Sequence, residues 1–362
     1  MSRALHWLIA SVALLGATDG SAETLLVVRK TDNALDFVDP GSGLRLASVP
    51  LGHAPHEVTV APDGRLAAVS NYGTRERPGS TLSIVELEQP REVRRIDLAP
   101  HSRPHGVTWF AADRIAVTTE GSKHLLVVEP STGRIVSQIE TGQDVSHMVA
   151  VSPGGERAYV ANIGSGSVTA VDLQGGRKLA DIAIGKGTEA IAVTTDGQGL
   201  WLAAREDGQV VVVNTGSLVV EARIPLLGTP IRIAMAPDGK TAFVTCAGSS
   251  EVVAIDVATR KERYRRRIEV PLAPGAEQRP FARLAAGSAL PVGLLASLNG
   301  RTVYVAATMG DVVLRLDAAT LAVQQIIPVG GEPDGLGVTS VMPRAECHAC
   351  APNPQPPRGE TR

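Results

Sequence analysis

The sequence predicts an all-β fold built from repeated units, and its composition and one recurring segment support this prediction. The chain has 362 residues, of which 37 are glycine and 24 are proline, and only 20% are charged. This composition is typical of a turn-rich globular protein and not of a disordered chain or a coiled coil. A segment that begins at His56 recurs along the chain, and its later copies begin at His105, His147, Glu189, Ile231, Val292 and Asp334.

Each copy of this segment has the alternation expected of a β-strand. The residues two and four positions after each start are apolar, as at Val58 and Val60, and a period of two places such residues on one face of a strand. Within a copy, further runs rich in β-branched residues follow, for example at residues 157–162, 167–172 and 179–184. Each copy therefore contains four short predicted strands.

The spacing of the copies predicts the architecture. Successive starts are 49, 42, 42, 42, 61 and 42 residues apart. Four short strands in a unit of about 42 residues are the signature of one blade of a β-propeller. Seven copies therefore predict a seven-bladed β-propeller with four-stranded antiparallel blades.

The two ends of the repeat region complete one blade between them. The seventh copy stops after its first strand near Met342, whereas three strand-like runs lie between residues 25 and 49, before the first copy. We expect the N- and C-terminal strands to share this closing blade. Such closure leaves only short, protected sheet edges.

The sequence before and after the repeats has a different character. Arg3, an apolar run over residues 8–15 and small residues at 20–22 are typical of a secretory signal peptide, so we predict a signal peptide at 1–22 and a periplasmic or secreted protein. We expect the propeller to span 23–342, followed by a flexible, Pro-rich tail at 343–362 with no membrane span. In this tail Cys347 and Cys350 resemble a haem-attachment box but lack the histidine that follows it, so a short-range disulfide or an idle pair is expected.

The charge and the aromatic content of the chain disfavour a nucleic-acid partner. Thirty-five Lys and Arg residues against 37 Asp and Glu leave a net charge of -2, and aromatic residues make up only 3%. The sequence therefore predicts neither a basic field for nucleic acid nor a platform on which bases stack. We expect a monomer that does not bind nucleic acid.

Several motifs resemble a known family. The units Ala158-Tyr159-Val160-Ala161-Asn162 and Thr302-Val303-Tyr304-Val305-Ala306, with the Pro-Asp-Gly turns at 62–64 and 237–239, resemble the Tyr-Val-Thr-Asn (YVTN) repeat family of bacterial seven-bladed propellers. The repeat is also similar to the haem-binding propeller of haem-d nitrite reductases, to lactonase propellers and to streptogramin lyases. This resemblance implies the fold and leaves the activity open.

One face of the predicted disc collects the residues that suggest chemistry. In an antiparallel blade the loop entering the first strand and the loop leaving the second lie on the same face. His56, His105 and His147 occupy one position in three consecutive blades, and we predict that they converge on the channel mouth. Three neutral imidazoles with an open fourth position suit zinc, copper or iron, so we predict a divalent transition metal there. The alternative is that each histidine only fixes its loop by a hydrogen bond to backbone.

Two function classes follow from this face. The first is a metal-assisted enzyme that hydrolyses or eliminates a small polar or anionic substrate at the channel mouth, with Glu189 as ligand or base and Arg205 or Arg232 holding an anion. The second is a non-catalytic binding or scaffold propeller for a protein partner or a tetrapyrrole. The 61-residue interval exceeds 42 by 19 residues, which indicates an insertion near 271–281 on the same face of the disc. This insertion is either a lid over the channel mouth or a tolerated insertion without a role.

Overall fold

The computed structural model describes residues 23–279, 282 and 289–344. These residues form seven four-stranded antiparallel sheets, which confirms the predicted fold class. The predicted signal peptide, and the tail from residue 345 with both of its cysteines, lie outside the described residues. None of the helices in the described part of the chain is long and apolar enough to cross a membrane.

The strands follow one another with short turns, as the repeat predicted. Within the described residues, two single-turn 3-10 helices lie between strands, at Ala276–Gln278 and Thr308–Gly310. In chain order the strands are β1 Thr24–Arg29, β2 Ala34–Val38, β3 Arg45–Pro50, β4 Pro55–Val60, β5 Leu66–Gly73, β6 Pro78–Glu86, β7 Arg91–Asp97, β8 Pro104–Ala111, β9 Arg114–Thr119, β10 His124–Glu129, β11 Arg134–Glu140, β12 Ser146–Val151, β13 Arg157–Asn162, β14 Ser167–Asp172, β15 Arg177–Ala183, β16 Thr188–Val193, β17 Gly199–Ala204, β18 Gln209–Asn214, β19 Val220–Pro225, β20 Pro230–Met235, β21 Thr241–Cys246, β22 Glu251–Asp256, β23 Glu262–Arg267, β24 Pro291–Ala296, β25 Thr302–Ala307, β26 Val312–Asp317, β27 Val323–Pro328 and β28 Pro333–Thr339.

The blades are arranged in a closed ring. The innermost strands are β4, β8, β12, β16, β20, β24 and β28, and each contacts the innermost strand of both neighbouring blades. The last of these, β28, pairs with β1 in antiparallel register, with Leu25 opposite Val338 and Val27 opposite Leu336. The N- and C-terminal strands therefore share one blade, as predicted.

The core lies between adjacent blades. The third residue of the second strand is aromatic in four consecutive blades, and these side chains, at Tyr159, Trp201, Phe243 and Tyr304, are no more than 2% exposed. Burying one large side chain contributes roughly 1.5–3 kcal/mol. Four of the eleven aromatic residues of the chain thus lie in the hydrophobic clusters between facing sheets. The outermost strand β23, by contrast, is exposed along its whole length.

Glycine on an innermost strand sets how closely two blades approach. Gly335 is the third residue of β28, and a Cβ atom there would lie 2.5 Å from the carbonyl oxygen of His56 on the adjacent blade. No side chain fits into that space. The close approach brings the residues at the start of the innermost strands together around the channel mouth.

Candidate functional site

A cavity of about 370 Å³ opens at the channel mouth, on the face that the sequence singled out. Its main lining comes from the second residue of each innermost strand, so that every blade contributes one side chain. These seven residues are His56, His105, His147, Glu189, Ile231, Val292 and Asp334. They are the same residues at which the seven copies of the repeat begin, and all of the predicted metal ligands are among them.

Two further positions of the repeat contribute to the lining, and Arg232, the third residue of β20, completes it. One is the residue at or just beyond the end of the second strand, which supplies Lys30, Tyr72, Glu120, Ile163 and Arg205. The other is the residue directly before the innermost strand, which supplies Val145 and Leu290.

The position before the innermost strand has an unusual backbone in all seven blades. Its φ is positive throughout: Ala54 43°, Arg103 56°, Val145 56°, Gly187 66°, Thr229 64°, Leu290 52° and Glu332 51°. Only one of these residues is glycine, and left-handed φ costs other L-residues about 1–2 kcal/mol each. In five blades the next residue is proline, which disfavours helical conformations before it. The fold therefore maintains strained backbone around the whole mouth, as is common near functional sites.

The three histidines contact one another in series. The ring centroids of His105 and His147 are 3.6 Å apart, and those of His56 and His105 are 5.2 Å apart. Nδ1 of His56 donates to the carbonyl oxygen of Ala54 at 3.0 Å, and Nδ1 of His147 donates to Oε1 of Glu120 at 2.5 Å. Hydrogen bonds at Nδ1 leave Nε2 as the site for a metal or ligand when the ring is neutral.

Glu120, which was not one of the predicted ligands, takes the place of His56 in the set of ligand atoms that lie close enough together for one metal ion. One ligand atom each from His105, Glu120 and His147 lie within 4.8 Å of one another. The hydroxyl of Tyr72 donates to Oε2 of Glu120 at 2.5 Å, and Arg103 Nη1 donates to that hydroxyl at 3.1 Å. Both carboxylate oxygens already accept hydrogen bonds, and the one from Nδ1 orients the ring of His147.

His105 differs from its neighbours because its Nδ1 is buried without a hydrogen-bond partner. A hydrogen bond from this atom to the loop, which the structural alternative required, is therefore missing from the described structure. Burial, followed by the charge of His147, holds the pKa of His105 well below its usual range. Its ring is thus neutral at physiological pH and able to bind a metal.

The other two imidazoles titrate in opposite directions. Burial, with the charge of nearby Lys30, lowers the pKa of His56 to about 4. Burial would also lower the pKa of His147, but the hydrogen bond and charge of Glu120, together with Glu189, outweigh it and raise that pKa. His147 therefore carries the proton of the cluster when no metal competes for it.

The predicted base and one predicted anion-binding residue form a pair. Arg205 Nη1 donates to Oε2 of Glu189 at 2.5 Å, and Oε1 of Glu189 is 3.8 Å from Nε2 of His147. Glu189 thus stands between the guanidinium group and the imidazole cluster.

Arg232 lines the cavity and is paired with carboxylates of two other blades. Its Nη2 donates to Oε1 of Glu57 at 2.7 Å, and it lies 3.6 Å from Oδ1 of Asp334. Asp334 is also paired with Lys30, at 3.3 Å. Burial alone would lower the pKa of Arg232, but the charges of Glu57 and Asp334 raise it. The carboxylates of Glu57 and Asp334 therefore neutralise the charge of Arg232, although the side chain also lines the cavity.

Some residues of the site were missed from the sequence. Lys30 and Tyr72 occupy the same repeat position as Glu120 and Arg205, so the repeat alignment could have identified them. Glu57 had no such signal, because its role depends on an arginine on the far side of the ring. His101 and His124 form a separate pair with centroids 4.8 Å apart, and His101 bonds to Ser122 at 2.8 Å.

Comparisons with known proteins agree with the fold. Residues 111–270 match the family described as the cytochrome D1 heme domain. Among solved structures, the chain is similar to hydrazine synthase of Kuenenia stuttgartiensis, with a TM-score of 0.66 and 20% identity over 83% of this chain and 94% of that chain. It is also similar to a periplasmic gluconolactonase of Pseudomonas aeruginosa, with a TM-score of 0.70 and 19% identity over 89% of this chain and 100% of that chain.

A third similar structure is a functionally unknown protein from Desulfotomaculum acetoxidans, with a TM-score of 0.72 and 14% identity over 87% of this chain and 98% of that chain. No curated protein matches the sequence. The resemblance to bacterial propellers, including those with haem-d and lactonase members, is thus confirmed at the level of the fold.

Proposed function

We propose that the cavity binds a divalent transition metal through His56, His105 and His147, and that the metal-loaded site takes a small anionic or carbonyl ligand. The observation that carries this proposal is the unpartnered, buried Nδ1 of His105, next to the ring of His147. A buried polar atom without a partner costs about 1–3 kcal/mol. A metal or a ligand atom at this point removes that penalty.

The surrounding groups suit a metal of the zinc, copper or iron type. His56 and His105 are neutral, and Nδ1 of His56 is engaged by Ala54, so that its Nε2 is available as a ligand. Glu120 bound to Nδ1 of His147 is the carboxylate partner that metal-ligating histidines commonly have. Three imidazoles leave a coordination position open for water or substrate.

The balance of charge around the site favours an anionic ligand once a metal is present. The cationic side chains at the cavity and its floor are Lys30, Arg205 and Arg232, and the carboxylates are Glu57, Glu120, Glu189 and Asp334. With these groups ionised, the carboxylates outnumber the cations by one. A divalent cation bound by neutral imidazoles then leaves one positive charge in excess, which a monoanion neutralises.

The arrangement also supports hydrolysis or elimination as the reaction. A bound metal of this class supplies polarisation of a carbonyl group or activation of water. Glu189, 3.8 Å from Nε2 of His147, is placed to take a proton from a ligand at the cluster. Arg205 holds that carboxylate in position by a hydrogen bond of 2.5 Å.

Metal analysis of untagged protein tests the proposal. We expect about one equivalent of zinc, copper or iron to remain after gel filtration, and to be lost when His56 and His147 are both replaced by alanine. The control is His124→Ala, which removes an imidazole outside the cavity. Protein that neither retains nor takes up any of these metals would contradict the proposal.

A tetrapyrrole is the second candidate, because residues 111–270 match the cytochrome D1 heme domain. The cavity of about 370 Å³ corresponds to roughly a dozen water-sized volumes, whereas a haem-type macrocycle has several times as many non-hydrogen atoms. The residues as placed do not fit this group, so we derive no chemistry from it. A titration with haemin should show no stoichiometric change in the Soret band, and a saturable change would favour the second candidate.

We further propose that the protein is exported to the periplasm as a monomer. The signal-like sequence at 1–22 supports export, and the similar gluconolactonase is described as periplasmic. Cell fractionation with mass determination of the mature N-terminus tests the first point, with Glu23 expected as the first residue. Light scattering tests the second, and a dimer mass would contradict it.

A further inference from the structure

The cavity has two chemically different sides. Apart from Arg232 on β20, which is paired with Glu57 across the channel, the titratable residues of the lining lie on blades that follow one another around the ring, from the closing blade to the blade of Glu189. Facing them, the next two blades supply aliphatic side chains, and two aliphatic residues of the His147 blade lie at the rim. The aliphatic lining consists of Ile231, Leu290, Val292, Val145 and Ile163.

The aliphatic side is a built part of the fold. Leu290 is fully buried and packs in one cluster with Ile231, Met309 and two alanines of the inserted segment, Ala273 and Ala276. These alanines lie between β23 and β24, where the 61-residue interval of the repeat placed the insertion. The described part of the insertion therefore supports the wall of the cavity from behind.

Polar contacts fix this wall to the disc. The backbone N–H of Ala273 donates to Met309 at 2.8 Å, and that of Thr308 donates to Leu290 at 3.1 Å. Arg279 makes two hydrogen bonds of 2.8 Å to the carboxylate of Asp311. A wall held at these points keeps its shape when a ligand binds.

We propose that the ligand is amphipathic: a small carboxylate or carbonyl head group at the imidazole cluster, with a short hydrocarbon chain against Ile231, Leu290 and Val292. This inference rests on the proposed function for the position of the head group. The volume, roughly a dozen water-sized units, accommodates such a head group with a chain of a few carbons. A polyhydroxylated ligand of the same length is disfavoured, because its hydroxyls would leave water without finding partners on the aliphatic side.

Calorimetric titration of the metal-loaded protein with straight-chain carboxylates, from acetate to octanoate, tests the inference. We expect affinity to increase by about fourfold for each added methylene until the cavity is filled. Gluconate is the matched comparison for hexanoate, since both have six carbons, and it should bind far more weakly. Affinity that is independent of chain length, or gluconate binding as tightly as hexanoate, would overturn the inference.

Two variants assign the effect to the aliphatic side. Leu290→Ala should reduce the ratio of hexanoate to acetate affinity. Val292→Thr keeps the volume of the side chain and should reduce the same ratio. This second variant can still be measured if the protein does not fold without the buried Leu290. Val93→Thr, on exposed outer strand β7, is the matched control and should leave the ratio unchanged. Unchanged ratios in both cavity variants would contradict the assignment.

Repeating the titration on metal-free protein separates this inference from the proposed function. A chain-length dependence in protein that binds no metal supports the amphipathic ligand and contradicts the metal site. Metal retention and acetate binding without any dependence on chain length support the metal site and contradict the amphipathic ligand.

Discussion

Glu120 and His147 belong to adjacent blades, yet they are joined by a hydrogen bond of 2.5 Å between the imidazole Nδ1 and a carboxylate oxygen. This contact fixes the ring of His147 and raises its pKa against the effect of burial. It also turns Nε2 towards the cavity. The behaviour of the whole cluster therefore depends on a residue at a different repeat position from that of the histidines.

Replacing Glu120 by glutamine should weaken metal binding by about 10–100-fold, the usual effect of losing the partner of a ligating histidine. The amide keeps the shape of the side chain but loses the charge that makes the imidazole more basic. Competition with a chelator measures the affinity. The control is Glu92→Gln on exposed strand β7, and equal affinity of both variants would show that Glu120 does not orient a ligand.

Replacing His105 by alanine should abolish metal retention while the melting temperature of metal-free protein changes little. The reason is that Nδ1 of His105 makes no hydrogen bond that the substitution could remove. If the histidine instead fixed its loop, the change would lower the free energy of unfolding by about 1 kcal/mol and leave the metal content unaltered. Metal content and melting temperature, measured on the same two preparations, distinguish these results.

The stability of the metal-free protein should fall as the pH falls from about 6.5 to about 4. In this window the unfolded chain protonates His56, whose usual pKa is about 6.5, but the folded chain does not, because its pKa there is about 4. The unfolded state binds more protons, so the free energy of unfolding decreases with decreasing pH. The expected change is on the order of 2 kcal/mol, since partial exposure of the ring screens part of the shift.

His56→Gln should reduce this slope, and His124→Gln should not. Urea denaturation at several pH values measures both. His147 contributes with the opposite sign: its raised pKa stabilises the folded state fully below about 6.5, and this contribution is lost as the pH rises through the folded pKa. Metal binding at Nε2 requires loss of this proton, so metal affinity should increase with pH up to the folded pKa.

Replacing Arg232 by methionine should destabilise the protein by about 3–5 kcal/mol, because it leaves the buried carboxylate of Glu57 without its cation and Asp334 with Lys30 alone. The double variant Arg232→Met with Glu57→Gln should recover part of this loss. Urea denaturation checks the result. A double variant less stable than the single one would show that the two residues do not act as a pair.

Substitution by glycine at the strained positions around the channel mouth should increase the stability of the protein. Thr229→Gly should raise the free energy of unfolding by about 1 kcal/mol, since relief of left-handed strain exceeds the added entropy of the unfolded chain. The reverse change at the equivalent position, Gly187→Ala, should destabilise the protein and displace Arg205, whose Cγ lies 2.7 Å from where the new Cβ would be. Thermal unfolding of the two variants should therefore shift in opposite directions.

Much of the fold is determined by patterns along the chain and could be predicted from the sequence. The period of two within strands and the 42-residue interval between copies depend only on neighbouring residues, and they gave seven blades and the closing blade. The same alignment placed His56, His105 and His147 at one repeat position, and the structure puts that position at the cavity. Repeat position determines which face of the disc a residue occupies, and this much needs no knowledge of its partners.

The tertiary structure alone decided how these residues act together. Arg232 is paired with Glu57, 175 residues away across the ring, and Glu120 with His147 between two blades. Such contacts depend on the spacing of the innermost strands, which close approach at residues such as Gly335 sets, and on side-chain rotamers. Neither follows from a repeat pattern. The pattern determines the backbone position of each residue, whereas packing between blades determines the conformation of its side chain and the groups it contacts.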